Sequence, residues 1–139
     1  QRHISSQFQK RQMQKTYIAR VRGLVADDTG TVDLPLIVDW PNRPLQMVDH
    51  ERGKPSVTDW SVLEHETDVT RMELCPKTGR SHQLRVHMRE LGHPILGDRF
   101  YADAPTIAAA DRLQLHAQTL RLRHLEGGEW LTLHADCPF

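Results

Sequence analysis

The chain has 139 residues, a formal net charge of zero with neutral histidines, and 26% charged residues, which fits one ordinary domain with a modest core. It has no apolar run long enough to span a bilayer and no visible signal peptide. Two cysteines, Cys75 and Cys137, stand at no metal-ligand spacing, which argues against a disulfide framework and makes a reducing compartment, the cytoplasm, the expectation.

The zero average hides an asymmetry. Gln1 to Ala26 holds six basic residues and no acidic one, Asp33 to Glu73 nine acidic against four basic, and Lys77 to Tyr101 five basic against two acidic. Two basic stretches around an acidic one are expected either to converge on one face suited to a polyanion or to be ordinary solvated charge.

In chain order, Gln1-Arg2-His3-Ile4 lacks an initiator Met, so the chain is expected to begin inside a longer reading frame. Gln7 to Gln14 reads as the end of a basic helix. Lys15 to Gly23 alternates as a strand, with Tyr17, Ala19 and Val21 on one face and Thr16, Ile18, Arg20 and Arg22 on the other. Asp27-Asp28-Thr29-Gly30 is a turn. Val32 to Val38 is apolar, but Pro35 makes it an edge or irregular strand. Trp40-Pro41-Asn42-Arg43-Pro44 is a loop.

Val57 to Leu63 and Val69 to Cys75 alternate around the polar turn Glu66-Thr67-Asp68 and predict a hairpin, with Thr58, Trp60 and Val62 together on one face and Met72 and Leu74 on another. After the turn Lys77-Thr78-Gly79, Ser81 is the expected N-cap of a helix from about His82 to Leu91, with Leu84, Met88 and Leu91 as its stripe. Gly92 suits a left-handed C-terminal position, and His93-Pro94 ends the helix. Leu113 to Leu122 and Trp130 to Ala135 are further strands, joined by a turn at Glu126-Gly127-Gly128-Glu129. Strands outnumber helices and no βαβ rhythm is present, so the expected class is α+β with a mainly antiparallel, mixed sheet.

The segment from Lys77 to Met88, followed by Leu91 to Asp98, is the chemically informative one. A turn delivers the chain into a helix whose first N–H groups face outward and attract anions. Arg85 and Arg89 are four apart and share a face, and Arg80 stands just before the helix. By itself this pattern fits a phosphate site, a carboxylate-orienting site or a polar helix face. His82, His87 and His93 raise the possibility of a metal, but an i, i+5 spacing does not share a helix face, so none is expected. His82 is expected to be a hydrogen-bonding element at the helix start.

Gly79-Arg80-Ser81-His82-Gln83-Leu84-Arg85-Val86-His87 resembles the G-R-x-H-Q-[IL]-R-x-H motif of RluA-type pseudouridine synthases. His93-Pro94-Ile95-Leu96-Gly97-Asp98-Arg99-Phe100-Tyr101 resembles the H-P-[IL]-x-G-D-x-x-Y segment that follows it. Lys15-Thr16-Tyr17 resembles the earlier K-x-Y strand, and Leu115-His116-Ala117 the late L-H-A segment. The resemblance runs from about Gln7 to Phe139. Val32 to Pro44 and Gly53-Lys54-Pro55 carry a nearer likeness to the member that acts on both large-subunit ribosomal RNA and transfer RNA.

The resemblance implies the pseudouridine synthase fold, incomplete because its early strands are absent, over 1–139. It implies isomerisation of a uridine in RNA, with RNA as partner and no metal or organic cofactor. It implies that Arg85 pairs with a nucleophilic aspartate, which an always-charged guanidinium would keep ionised and aimed. It also implies that Tyr17 lies against the target uracil, where stacking is worth about 1–3 kcal/mol. Read without the family, Tyr17 is a core strand tyrosine. Leu84 is expected beneath the site, and Lys15 and Arg80 are expected in phosphate contacts or structural pairing. The family's nucleophile lies in an H-R-L-D-x-x-T-S-G segment well upstream of the K-x-Y strand, and no such segment occurs here. Asp28-Thr29-Gly30 echoes it only as turn chemistry, and Asp98 matches a structural position. The chain alone is therefore expected to be inactive, with a non-catalytic RNA-binding module as the alternative. A raw sheet edge is expected to make two chains prone to pair.

Overall fold

A computed structural model describes residues 11–124 and 128–139. The elements are β1 (Arg11–Arg22), β2 (Thr29–Asp33), β3 (Leu36–Val38), β4 (Gln46–Val48), β5 (Val57–Glu66), β6 (Val69–Pro76), α1 (Gln83–Glu90), α2 (Ala104–Ala108), β7 (Leu115–His124) and β8 (Leu131–His134). A six-stranded sheet has the order β2-β5-β6-β1-β7-β8, and β3 and β4 form a separate two-stranded hairpin. Every pairing among the described residues is antiparallel, so the expected mixed character is not seen there.

β1 is internal to the sheet, paired with β6 on one side and β7 on the other. Ala19 and Val21 are fully buried, and Tyr17 packs partly against the same core. Met72 and Leu74 of β6 and Trp60 of β5 join them, and α1 lays Leu84 and Met88 over the sheet. Each fully buried side chain of this kind contributes about 1.5–3 kcal/mol. Ile18, on the opposite face of β1, is also buried. Arg20 and Arg22 on that opposite face are held by the β5–β6 hairpin: Arg20 grips Glu66 through two bonds of 3.0 and 2.8 Å, and Arg22 reaches Asp68 at 3.1 Å.

Several expectations are corrected. Residues 11–14, expected in a helix, begin β1, where pairing with β7 decides their conformation; residues 7–10 of that segment lie outside the described ones. Thr29 and Gly30 are already strand rather than turn. The Val32–Val38 run is broken at Leu34-Pro35 into edge strand β2 and hairpin strand β3. The 40–44 loop contains a short 3-10 turn over Trp40–Asn42 and a cis Arg43–Pro44 bond. The expected turn at 126–129 falls partly outside the described residues. Ser81 does not cap α1. His82 occupies that position, in the left-handed region at φ 55° and ψ 17°, without a side-chain cap. The helix C-terminus follows expectation, with Gly92 at φ 94°.

Candidate RNA-binding cleft

The first turn of α1 is fixed by its own first residue. Gln83 is 4% exposed. Its Oε1 accepts from Thr78 Oγ1 at 2.6 Å and from Arg80 N–H at 3.1 Å, while its Nε2 donates to Val57 O and Thr58 Oγ1, both at 2.9 Å. One buried amide thus ties the 78–80 turn to β5 and satisfies all its partners, as a buried polar group must. The sequence reading did not single Gln83 out.

The turn and the helix wall one side of an open cleft of about 380 Å³. β1 walls the other side with Lys15 and Tyr17, and Leu113 and Leu115 add apolar surface beside Leu84. Lys15 and Tyr17 are two apart on one strand and therefore share a face. Opposite them, the β1–β7 register slips by one residue between Thr16 and Tyr17, leaving Gln118 unpaired. Such a bulge re-aims neighbouring side chains.

All six residues singled out from sequence, Lys15, Tyr17, Arg80, His82, Leu84 and Arg85, line this one cleft. Its lining includes three cations and no carboxylate. Among the described residues, neither Lys15 nor Arg80 is paired with a carboxylate, while Arg80 Nε donates to Pro55 O at 3.1 Å. Of the two expectations for the basic stretches, convergence holds only for Lys15, Arg80 and Arg85 at the cleft; Arg20, Arg22 and Arg85 each meet an acidic residue.

Arg85 is held by a carboxylate that the sequence reading assigned only a structural role. Its Nε and Nη2 donate to Asp98 Oδ2 and Oδ1 at 3.0 and 2.6 Å. Asp98 is fully buried, and its Oδ1 also accepts the N–H groups of Phe100 and Tyr101. This two-pronged grip uses two of the five guanidinium N–H donors. Three remain for a second acceptor. The Arg85 guanidinium also lies over the rings of Phe100 and Tyr101, at 5.0 and 5.3 Å. Arg89, one turn on, stacks on Tyr101 at 5.2 Å but pairs with exposed Glu90.

The three clustered histidines go to separate tasks. His82 Nδ1 meets Tyr101 Oη at 2.6 Å, His87 lies between Thr58 and Leu34 O, and His93 Nδ1 meets Arg22 O at 2.8 Å. Burial lowers the pKa of both His82 and His87, and Arg85 lowers that of His82 further. Among the described residues, no group of three His, Cys, Asp or Glu is placed to hold a metal ion, and no helix is long and apolar enough to cross a membrane.

The cleft between β1 and α1, with Tyr17 on one wall and Arg85 braced by buried Asp98 on the other, is found together with a family match. The family model described as RNA pseudouridylate synthase matches residues 1–90, and the chain belongs to that family. Over 140 aligned residues covering the whole chain, it is 54% identical to the dual-specificity RNA pseudouridine synthase RluA of Yersinia pestis and 52% identical to that of Escherichia coli K12. The chain spans 68% and 64% of those relatives, or about two thirds of their length. Among solved structures, human RNA pseudouridylate synthase domain containing 1 superposes with a TM-score of 0.81 at 32% identity, over 97% of this chain and 59% of that one. Human RNA pseudouridylate synthase domain containing 4 gives 0.75 at 26% identity, over 99% and 62%.

Proposed function

We propose that this chain supplies the substrate cleft of an RNA uridine isomerase that acts on large-subunit ribosomal RNA and transfer RNA in the cytoplasm. The observation that carries the reading is that Arg85 and Tyr17, far apart in sequence, line one open cleft. A uridine taken out of its helix lays its ring against Tyr17 and Leu84, because every base has an apolar π-face to stack. Lys15 and Arg80, at the cleft wall, take the neighbouring phosphates. Arg85, braced by Asp98, offers its remaining donors to a second carboxylate. That carboxylate is the nucleophile the family implies, and pairing keeps it ionised and aimed. The reaction detaches the base from its ribose at N1, turns it and rejoins it through C5, so no atom is gained or lost.

The test is isomerisation itself. Ribosomal and transfer RNA transcripts are incubated with the protein that carries this chain, and their nucleosides are analysed. Pseudouridine at defined positions supports the reading. Transcripts bound in a salt-sensitive manner but left unmodified would support the alternative of a non-catalytic binding module instead.

A further inference from the structure

Two histidines of the same segment meet the same kind of partner, with different results. His87 is fully buried. Leu34 O, a carbonyl that can only accept, lies 3.0 Å from His87 Nε2, so the proton of the neutral ring sits on Nε2. His87 Nδ1 therefore accepts from Thr58 Oγ1 at 2.8 Å, and that hydroxyl in turn accepts from Gln83 Nε2 at 2.9 Å. Both ring nitrogens are used, and the ring is a closed structural link.

His82 begins the same way and ends differently. The backbone N–H of Gln46 donates to Tyr101 Oη at 2.9 Å. A backbone N–H only donates, so Tyr101 Oη accepts there. Tyr101 is 6% exposed, and its hydroxyl proton needs an acceptor. His82 Nδ1, 2.6 Å away, is that acceptor. His82 is thereby fixed as the neutral ring with its proton on Nε2. No described residue takes that proton, and His82 lines the cleft.

Two further observations agree. A second proton, added on Nδ1, would strip Tyr101 of its acceptor and set a second positive charge beside Arg85; of the other groups around the ring, Asp98 is already occupied by Arg85. In addition, His82 is held at φ 55°, a backbone region non-glycine residues seldom adopt. Such strain persists where the surrounding structure enforces a placement.

We propose that His82 is a fixed neutral hydrogen-bond donor to a carbonyl oxygen of the pyrimidine in the cleft, and that Tyr101 is the positioning residue that sets its tautomer. The ligand rests on the function proposed above; the tautomer does not. A neutral donor suits a neutral carbonyl, and the phosphates already have Lys15 and Arg80. Tyr101 also links the β3–β4 hairpin, through the Gln46 N–H of β4, to His82 in the cleft.

Nitrogen-15 NMR of the histidine rings tests the tautomer in the full chain at neutral pH, with His87 as internal reference. The expected result is a neutral His82 with its proton on Nε2, changing to mixed tautomers in Tyr101→Phe. A wild-type His82 protonated on Nδ1, or charged, overturns the proposal even if the variant does not fold. Affinity tests the ligand. For an RNA stem-loop with one loop uridine, His82→Ala should bind about 2- to 12-fold more weakly, as expected for one lost neutral hydrogen bond. With an abasic site at that uridine, wild type and variant should bind alike. An equal loss on the abasic RNA means a phosphate contact and overturns the carbonyl assignment. A wild-type chain that shows the tautomer but binds no RNA supports the relay and sinks the function it was placed in.

Discussion

At the scale of single residues, the arrangement turns on Asp98. It has no access to solvent, and Arg85, 17% exposed, meets water on its cleft side. Removing one member of a buried pair costs about 3–5 kcal/mol, since the other is left uncompensated. Asp98→Ala should therefore lower unfolding free energy by that amount in urea denaturation. A loss under about 1 kcal/mol would show that the ion pair does not hold Arg85. The residue-level site was largely legible in sequence, because Lys15, Tyr17, Arg80, His82, Leu84 and Arg85 fall in short dense motifs, and the structure gathers them in one cleft. What sequence left out were the supports. Asp98 is thirteen residues from Arg85 and Tyr101 is nineteen from His82, and hydrogen-bond partners at such separations leave no local pattern. Gln83 was missed for another reason: a helix-start glutamine looks solvated until burial is known.

Elements show the same division. Alternation identified β5 and β6, and helical spacing identified α1, because one face of each is buried. The start of β1 was misread, since Arg11 to Gln14 are good helix formers and only pairing with β7 makes them strand. The short α2 was missed although Asp103 and Pro105 announce it; Asp103 caps Thr106 N–H at 3.3 Å. Two glycines separate strain from crowding. Gly92, at φ 94°, has open space where a Cβ would stand, whereas Gly97, at φ 75°, would place one 2.2 Å from Arg112 O. Gly92→Ala should cost about 1–2 kcal/mol from the backbone alone. Gly97→Ala should add roughly 1–3 kcal/mol of overpacking. Equal losses in the two variants, measured by urea denaturation, would contradict the packing at the 97–112 contact.

For the whole molecule, protons link cleft and core. His87 is neutral when folded, with its pKa pushed down first by burial, and His82 is pushed down by burial and then by Arg85. Unfolded, both take a proton near pH ~6.5. Below that pH the unfolded chain holds more protons, so stability is full above about pH 6.5 and falls as the pH drops toward the folded values. Glu66 adds a second limb. The hydrogen bond from Arg20 holds its carboxyl below the usual range, so its contribution is present above about pH 4.3 and lost as the pH falls through the folded value. Urea midpoints should therefore decline in two steps, and His87→Gln should flatten the upper one. A midpoint constant from pH 7.5 to about pH 5 would contradict a neutral buried His87.

At this same scale, the sheet has two edges, β2 and β8, and β8 exposes Leu131 and Leu133. The cleft opens between β1 and α1, in the interior of the strand order. The proposed function therefore rests on the central strand and its covering helix, and the two arginines of that helix are expected to separate the roles. Turnover of uridine to pseudouridine in a transcript, measured beside RNA affinity, is the most direct test. Arg85→Ala should lower turnover by at least about a hundredfold while RNA affinity changes little, as loss of a preorganised charge partner does. Arg89→Ala, altering a surface ion pair, should stay within a few-fold of wild type. An Arg85→Ala protein that turns over at the wild-type rate would contradict the account at its centre.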